Sequence, residues 1–188
     1  ITFYTGWHES PIATVAPSLP KGAFAQLAGA VRNSVDIPVI AANRISDPWI
    51  AEKIIADGQA DLAGMARALL ADPELPNKAK SGRSGEINPC ILCSRCLGEV
   101  LSAYRSWGEK SGVYCTVNPR AGREGSTLVK PAEQVKKVSV VGGGPAGLTA
   151  GRTAAERGHR VTLFEKERET GGWLRVGCLP PHKDEIRV

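Results

Sequence analysis

Lys137-Val138-Ser139-Val140-Val141 followed by Gly142-Gly143-Gly144-Pro145-Ala146-Gly147 reads as a short apolar strand running straight into a glycine-rich turn. The turn opens a helical stretch, Leu148 to Arg157, which Gly158 stops, and Arg160 to Glu165 then makes a second strand with an acidic end. A lone Gly-x-Gly-x-x-Gly is weak evidence. With a strand before it, a helix after it and Glu165 eighteen residues past Gly147, it becomes a dinucleotide-binding fingerprint. Gly142 permits the tight turn, Gly144 lets the backbone approach a pyrophosphate, and Gly147 lets helix and strand pack closely. The helix N-terminus, which carries Ala146, favours the phosphate charge. Glu165 is expected to accept hydrogen bonds from an adenosine ribose, which favours NAD or FAD over NADP at this motif. The bland alternative is a glycine-rich turn that binds nothing.

Upstream lies a second concentration of chemistry. Cys90, Cys93 and Cys96 fall as Cys-x2-Cys-x2-Cys, and Cys115 follows after eighteen intervening residues. A disulfide framework belongs to small secreted domains, and nothing here reads as a signal peptide. Metal remains. Structural zinc favours two separated Cys-x2-Cys knuckles, whereas three close cysteines and one distant cysteine is the spacing that wraps a cubane iron–sulfur cluster. A [4Fe-4S] cluster is the expectation, with zinc and unliganded thiols as alternatives. A one-electron centre is useful only between electron-exchanging partners, so redox cofactors are expected on both flanks. Cys178, the odd cysteine, is expected to be a buried thiol.

Residues 1–85 alternate helix and strand. Phe24, Leu27, Ala28 and Val31 recur at helical spacing, and Ile37 to Ala42 is a short apolar run. Asp47 as N-cap and Pro48 at the first helical position start a second helix through Ile50, Ile54 and Ile55; Gly58 stops it, and the apolar run Ala60 to Ala66 follows. Strands apolar on both faces that alternate with helices imply a parallel sheet. Without a glycine-rich phosphate loop in this half, a βα-barrel is favoured over a doubly wound sheet. In such barrels the chemistry sits at the C-terminal strand ends, and the last loops commonly hold phosphate. Arg44 and Arg67 fall at those ends beside small residues, and two arginines converging on one phosphate is the expectation. Surface arginines paired with acidic neighbours are the alternative. Thr5-Gly6-Trp7-His8-Glu9-Ser10-Pro11 is expected to be an earlier loop at the same face, with His8 either a proton donor to substrate or a structural histidine beside Trp7.

The chain has 188 residues, 42% hydrophobic and 23% charged, ordinary values for a globular protein. Its formal charge of +5 comes from scattered Lys and Arg with no accompanying aromatic ladder, so anionic cofactors explain the excess better than nucleic acid. No apolar run reaches the roughly 18 residues of a membrane helix. A soluble, cytoplasmic protein that binds neither nucleic acid nor membrane is expected. The abrupt start at Ile1 and end at Val188 suggest an internal piece of a longer polypeptide, with the rest of the barrel and of the nucleotide domain missing.

Gly6-Trp7-His8-Glu9, Ala42-Asn43-Arg44, Gly64-Met65-Ala66-Arg67 with Leu70-Ala71-Asp72-Pro73, and the cysteine cluster together resemble the 2,4-dienoyl-CoA reductase and trimethylamine dehydrogenase family. Those are flavoenzymes in which an old-yellow-enzyme-type TIM barrel carrying FMN is followed by a [4Fe-4S] segment and an FAD/NAD(P)-binding region. The resemblance implies an α/β chain divided into a barrel end (1–85), a cluster segment (86–130) and the start of a Rossmann-like domain (131–188). It implies Arg44, Ala66 and Arg67 at FMN, Cys90, Cys93, Cys96 and Cys115 at the cluster, and Gly142, Gly144, Ala146, Gly147, Glu165 and Lys183 at FAD. His8 matches the histidine with which the dienoyl-CoA reductase branch protonates substrate.

The Gly-Gly-Gly-Pro-Ala-Gly form and Thr170-Gly171-Gly172 also resemble FAD-binding domains. Departures are the longer Cys96–Cys115 loop, Trp173 in place of a common glutamine, and Pro181-His182 in place of Pro-Gly. The function implied is reduction of an activated C=C bond in an enoyl or dienoyl thioester or enoate, electrons passing from NADH or NADPH through FAD, cluster and FMN. An amine dehydrogenase with reversed flow is the first alternative; a zinc-stapled nucleotide-binding module without catalysis is the second.

Overall fold

Two helix–strand repeats build the first of the chain's two compact units, Ile1–Gly122. The computed structural model describes residues 17–99, 112–183 and 186. Helix α1 (Ala25–Arg32) precedes strand β1 (Ile40–Ala41), and α2 (Pro48–Ala56) precedes β2 (Leu62–Ala63). The Asp47 carboxylate accepts the Trp49 N–H at 2.8 Å, and Pro48 sits at the first helical position, where no amide donor is needed. β1 and β2 pair in parallel, Ile40 with Leu62 and Ala41 with Ala63. The apolar runs 37–42 and 60–66 promised longer strands. Backbone pairing extends only over these two residues in each, because each strand has one neighbour among the described residues.

Small residues dominate the core: Ala25, Ala28, Val39, Ala41, Ile45, Ile54 and Ala60 are buried together. Asp61 joins its two strands from the side. Its Oδ2 accepts the Val39 N–H at 2.8 Å and its Oδ1 accepts Arg32 Nε at 3.0 Å, while Arg32 Nη1 donates to the Gly58 carbonyl at 3.0 Å. The Val39 amide first, and Arg32 second, hold the Asp61 carboxyl below its usual range. Beyond β2 come α3 (Ala66–Ala71), α4 (Leu75–Lys80), a 3-10 turn (Ser84–Glu86) and a helical segment α5 described over residues 95–99.

The second unit, Arg123–Val188, contains β3 (Lys137–Val141), α6 (Pro145–Glu156), β4 (Arg160–Phe164) and the short α7 (Leu174–Gly177). β3 and β4 pair in parallel along all five residues, from Lys137 with Arg160 to Val141 with Phe164. α6 crosses over them. Gly151 faces Val161 and Val140, where the absence of a side chain lets the helix lie close to the sheet. No helix among the described residues is long and apolar enough to cross a membrane.

Candidate functional site

The chain between Ile87 and Ser94 has no regular structure, so its path is set by single residues. Leu92 and Ser94 take the left-handed conformation, at φ 53° and 56°, which turns the backbone twice between successive cysteines. Leu92 buries its side chain, fixing that turn to the unit below. Cys96 then rides on the first turn of α5. Cys90, Cys93, Cys96 and Cys115 consequently line one cleft of about 280 Å³, mouth included, together with Arg67, Leu70 and Thr116.

Both ends of this cysteine segment are tied to α3. Asp72, at the C-terminal end of α3, is buried; its Oδ2 accepts Lys78 Nζ at 2.6 Å and the Asn88 N–H at 2.8 Å, and its Oδ1 accepts the Glu74 N–H at 3.0 Å. Asn88 Nδ2 reaches across to the Val117 carbonyl at 2.8 Å, and Asn118 Nδ2 donates to the Leu70 carbonyl at 2.9 Å. Residues just before Cys90 and just after Cys115 are therefore held by one polar network. Burial pushes the Asp72 carboxyl up, but Lys78 and the Asn88 and Glu74 amides outweigh it, and the group titrates below its usual value.

The Cys90 thiol titrates above its ordinary value, held there first by burial and further by the neighbouring Cys115 and Cys96. The Leu92 N–H and the Arg67 guanidinium pull it the other way. Arg67 Nη1 is buried without a hydrogen-bond partner among the described residues. Cys93 Sγ lies 3.1 Å from Thr116 Oγ1. Among the described residues no three Cys, His, Asp or Glu are drawn together tightly enough to hold a single ion. Four sulfurs around an open cleft, with the half-buried Arg67 guanidinium and N–H and O–H donors beside them, fit a bulkier anionic group whose ligands stand farther apart.

The two arginines serve different neighbours. Arg44 is buried and left-handed, at φ 56°, and such a buried guanidinium must find acceptors nearby. It donates from Nε to the Leu19 carbonyl at 3.0 Å and from Nη2 to the Pro17 carbonyl at 3.2 Å, with Nη2 also on Leu19. Those contacts latch it onto residues 17–19. Arg67 lines the cysteine cleft, one residue after Ala66 opens α3. Asn43, also left-handed at φ 76°, leaves its buried Nδ2 without a partner among the described residues. His8 lies outside the described residues.

In the second unit the glycine turn is clamped from both sides. Gly142, at φ 99°, donates its N–H to the Phe164 carbonyl at 2.7 Å, extending the β3–β4 ladder into the turn. Gly147 sits against it so closely that a Cβ there would overlap the Gly142 carbonyl oxygen. Glu165 accepts the Gly143 N–H at 2.6 Å through Oε2 and the Glu167 N–H at 3.0 Å through Oε1. The Glu167 and Gly143 amides hold its carboxyl below the usual range, so it is a fixed anion beside the turn. Gly171 N–H donates to the Gly143 carbonyl at 2.8 Å, bringing Thr170-Gly171-Gly172 against the same turn. Ala146 is the second residue of α6, and Gly144 is its N-cap. Lys183 lies in the turn past α7 and accepts the Ile186 N–H on its carbonyl. Trp173 is the N-cap residue of α7 and is exposed. Cys178 is partly exposed, correcting the expected buried thiol, because its short helix lies at the surface; its Sγ donates to the Arg175 carbonyl at 3.3 Å.

Comparison with known proteins bears on both units. Residues 2–86 match the NADH:flavin oxidoreductase / NADH oxidase family, and residues 140–177 match a NAD(P)-binding Rossmann-like domain. A metal reductase of Desulforamulus reducens is 45% identical over 96% of this chain and 26% of its own length. An NADH oxidase of Thermoanaerobacter brockii is 46% identical over 97% of this chain and 28% of its own. Among solved structures, a 2-naphthoyl-CoA reductase in complex with 2-naphthoyl-CoA superposes with a TM-score of 0.88 at 35% identity, over 98% of this chain and 28% of that one. Histamine dehydrogenase from Rhizobium sp. 4-9 superposes at 0.76 and 30% identity, over 88% and 24%. The chain thus spans about a quarter of the length of the relatives it matches. The segment similar to that family and the Rossmann-like segment together give a chain of mixed α/β fold.

Proposed function

We propose that this chain is the middle of an NAD(P)H-dependent flavin and iron–sulfur oxidoreductase that reduces an activated C=C bond of an enoyl or dienoyl thioester or an enoate. The observation that carries the reading is the cleft lined by Cys90, Cys93, Cys96, Cys115 and Arg67, placed in sequence between a flavin-oxidoreductase segment and a dinucleotide fold. Residues 1–85 form the end of an FMN-binding barrel, 86–130 the cluster segment and 131–188 the start of an FAD-binding domain. The bound FAD, [4Fe-4S] cluster and FMN would supply hydride acceptance, single-electron transfer and hydride delivery.

The chain's own residues bind and orient. The four thiolates hold the cluster, and Arg67 and Ala66 lie where the barrel meets it. Gly142, Gly144, Ala146 and Gly147 shape the pyrophosphate site, Glu165 takes the ribose, and Lys183 contacts the same cofactor. His8 gives a proton to one alkene carbon as hydride arrives at the other.

Iron, acid-labile sulfide and zinc measured on anaerobically purified protein test this directly. About four iron and four sulfide per chain, with an EPR signal after dithionite reduction, is the expected result. Stoichiometric zinc without iron removes the relay and leaves a nucleotide-binding module. The resemblance to histamine dehydrogenase supports a second reading, oxidation of an amine. Reduction of the bound flavin by an amine, with no turnover of enoyl thioesters or enoates on NADH or NADPH, would establish it.

A further inference from the structure

Of the four sulfurs around the cleft, Cys93 is the exposed one, and Thr116 is the side chain whose hydroxyl stands beside it, at 3.1 Å. With a thiol, either atom is able to donate. A metal-bound sulfur has no proton, so only the Thr116 O–H can donate and Cys93 Sγ must accept. Thr116 also directly follows Cys115, so one short segment carries the fourth ligand and a hydrogen-bond donor to the second. Asn88 holds the next residue, Val117, by its carbonyl at 2.8 Å, which fixes the height of that segment above the cleft.

We propose that Thr116 is a positioning residue that raises the reduction potential of the cluster by donating its hydroxyl hydrogen bond to the Cys93 sulfur. The inference rests on the reading of the four cysteines as cluster ligands. Reduction adds one electron and no proton, and the added negative charge spreads onto the cysteine sulfurs. A donor already aimed at one of them stabilises the reduced state more than the oxidised state. The reductant is a reduced flavin in turnover and dithionite in a titration; the Thr116 proton stays on its oxygen throughout. Water reaches an exposed sulfur in any case, but it reorients, whereas the Thr116 hydroxyl is held by its backbone.

The test is an EPR-monitored redox titration of the holoprotein with Thr116→Val, which keeps the shape and removes the hydroxyl, and Thr116→Ser, which keeps the hydroxyl. The expected result is a midpoint potential shifted to more negative values in T116V and restored in T116S, at equal iron content. Thr116→Ala provides the same deletion should the valine disturb packing. Unchanged potential in the deletion variants, or the same shift in T116S as in T116V, overturns the assignment of Thr116. A wild-type protein that holds no iron overturns the cluster reading itself, and the two failures are told apart by the iron analysis alone.

Discussion

If the glycine turn holds FAD as proposed, Gly147→Ala is expected to strip it from the protein and to unfold the second unit early. The added methyl would overlap the Gly142 carbonyl oxygen and come within 3.3 Å of Val140 Cγ1. Retreat is blocked, because Gly142 is held by its N–H on the Phe164 carbonyl at the end of the β3–β4 ladder. Either the turn opens or α6 lifts from the sheet. Overpacking of this kind costs about 3 kcal/mol, which for a unit of this size lowers Tm by roughly 15 °C. Gly151→Ala is the control, since its methyl would meet Val161 at an ordinary 3.6 Å and the helix gains a better former. FAD released on denaturation and separated from FMN by chromatography should fall to near zero per chain in G147A, with FMN unchanged, and stay at wild-type level in G151A. Wild-type FAD content in G147A would mean that the cofactor does not sit on this turn.

Removing the Asp72 carboxylate should empty the cysteine cleft without touching a cysteine. Asp72→Ala takes from the Lys78 ammonium its carboxylate partner, leaving it the Glu86 carbonyl, and removes the acceptor of the Asn88 amide at a site where Asp72 is only 4% exposed. Breaking one partner of a buried pair costs about 3–5 kcal/mol. It also releases Asn88, and with it the tie to Val117. Iron content well below that of the wild type, with the nucleotide unit still melting normally, is the expected result; full iron loading would show that the network does not support the site. Asp72 titrates below its ordinary value. Its contribution is therefore complete above that ordinary value and is lost as the pH falls through the lower, folded one. Between roughly pH 5 and 8 it should be flat.

The second unit was nearly all legible from sequence. The strand before the glycines, Gly158 as a stop and an acid just past β4 are local features, and Lys137–Val141 and Arg160–Phe164 follow them closely, while the helix starts at Pro145, three residues before the expected Leu148, because proline fits the first turn. In the first unit the alternation and parallel pairing were legible, while the strand lengths were not, because apolar composition marks burial and pairing depends on neighbours. Cysteine spacing pointed to a shared cleft, and the four side chains do line one. What spacing could not carry is the cross-chain polar chemistry. The contacts of Arg44 with the carbonyls of Pro17 and Leu19 join residues 27 and 25 positions apart and have no mark in the sequence. Asp72, Asn88, Asn118 and Thr116 act through contacts between residues 16 to 48 positions apart. No one-dimensional motif records such pairs. A buried acid followed by proline at the end of a short helix was the one faint sign of the Asp72 network.

The ties of Asn88 to Val117 and of Asn118 to Leu70 grip the cysteine segment at its two outer ends. Ligand positions are then set by those anchors and by the backbone turns at Leu92 and Ser94, whatever number of residues separates Cys96 from Cys115. Loop closure adds only about 0.6 kcal/mol for each doubling of length. Length between those two cysteines is thus a nearly free variable, open to drift among relatives and available to the protein engineer as a place to graft an affinity tag or spectroscopic reporter next to the cysteine cleft.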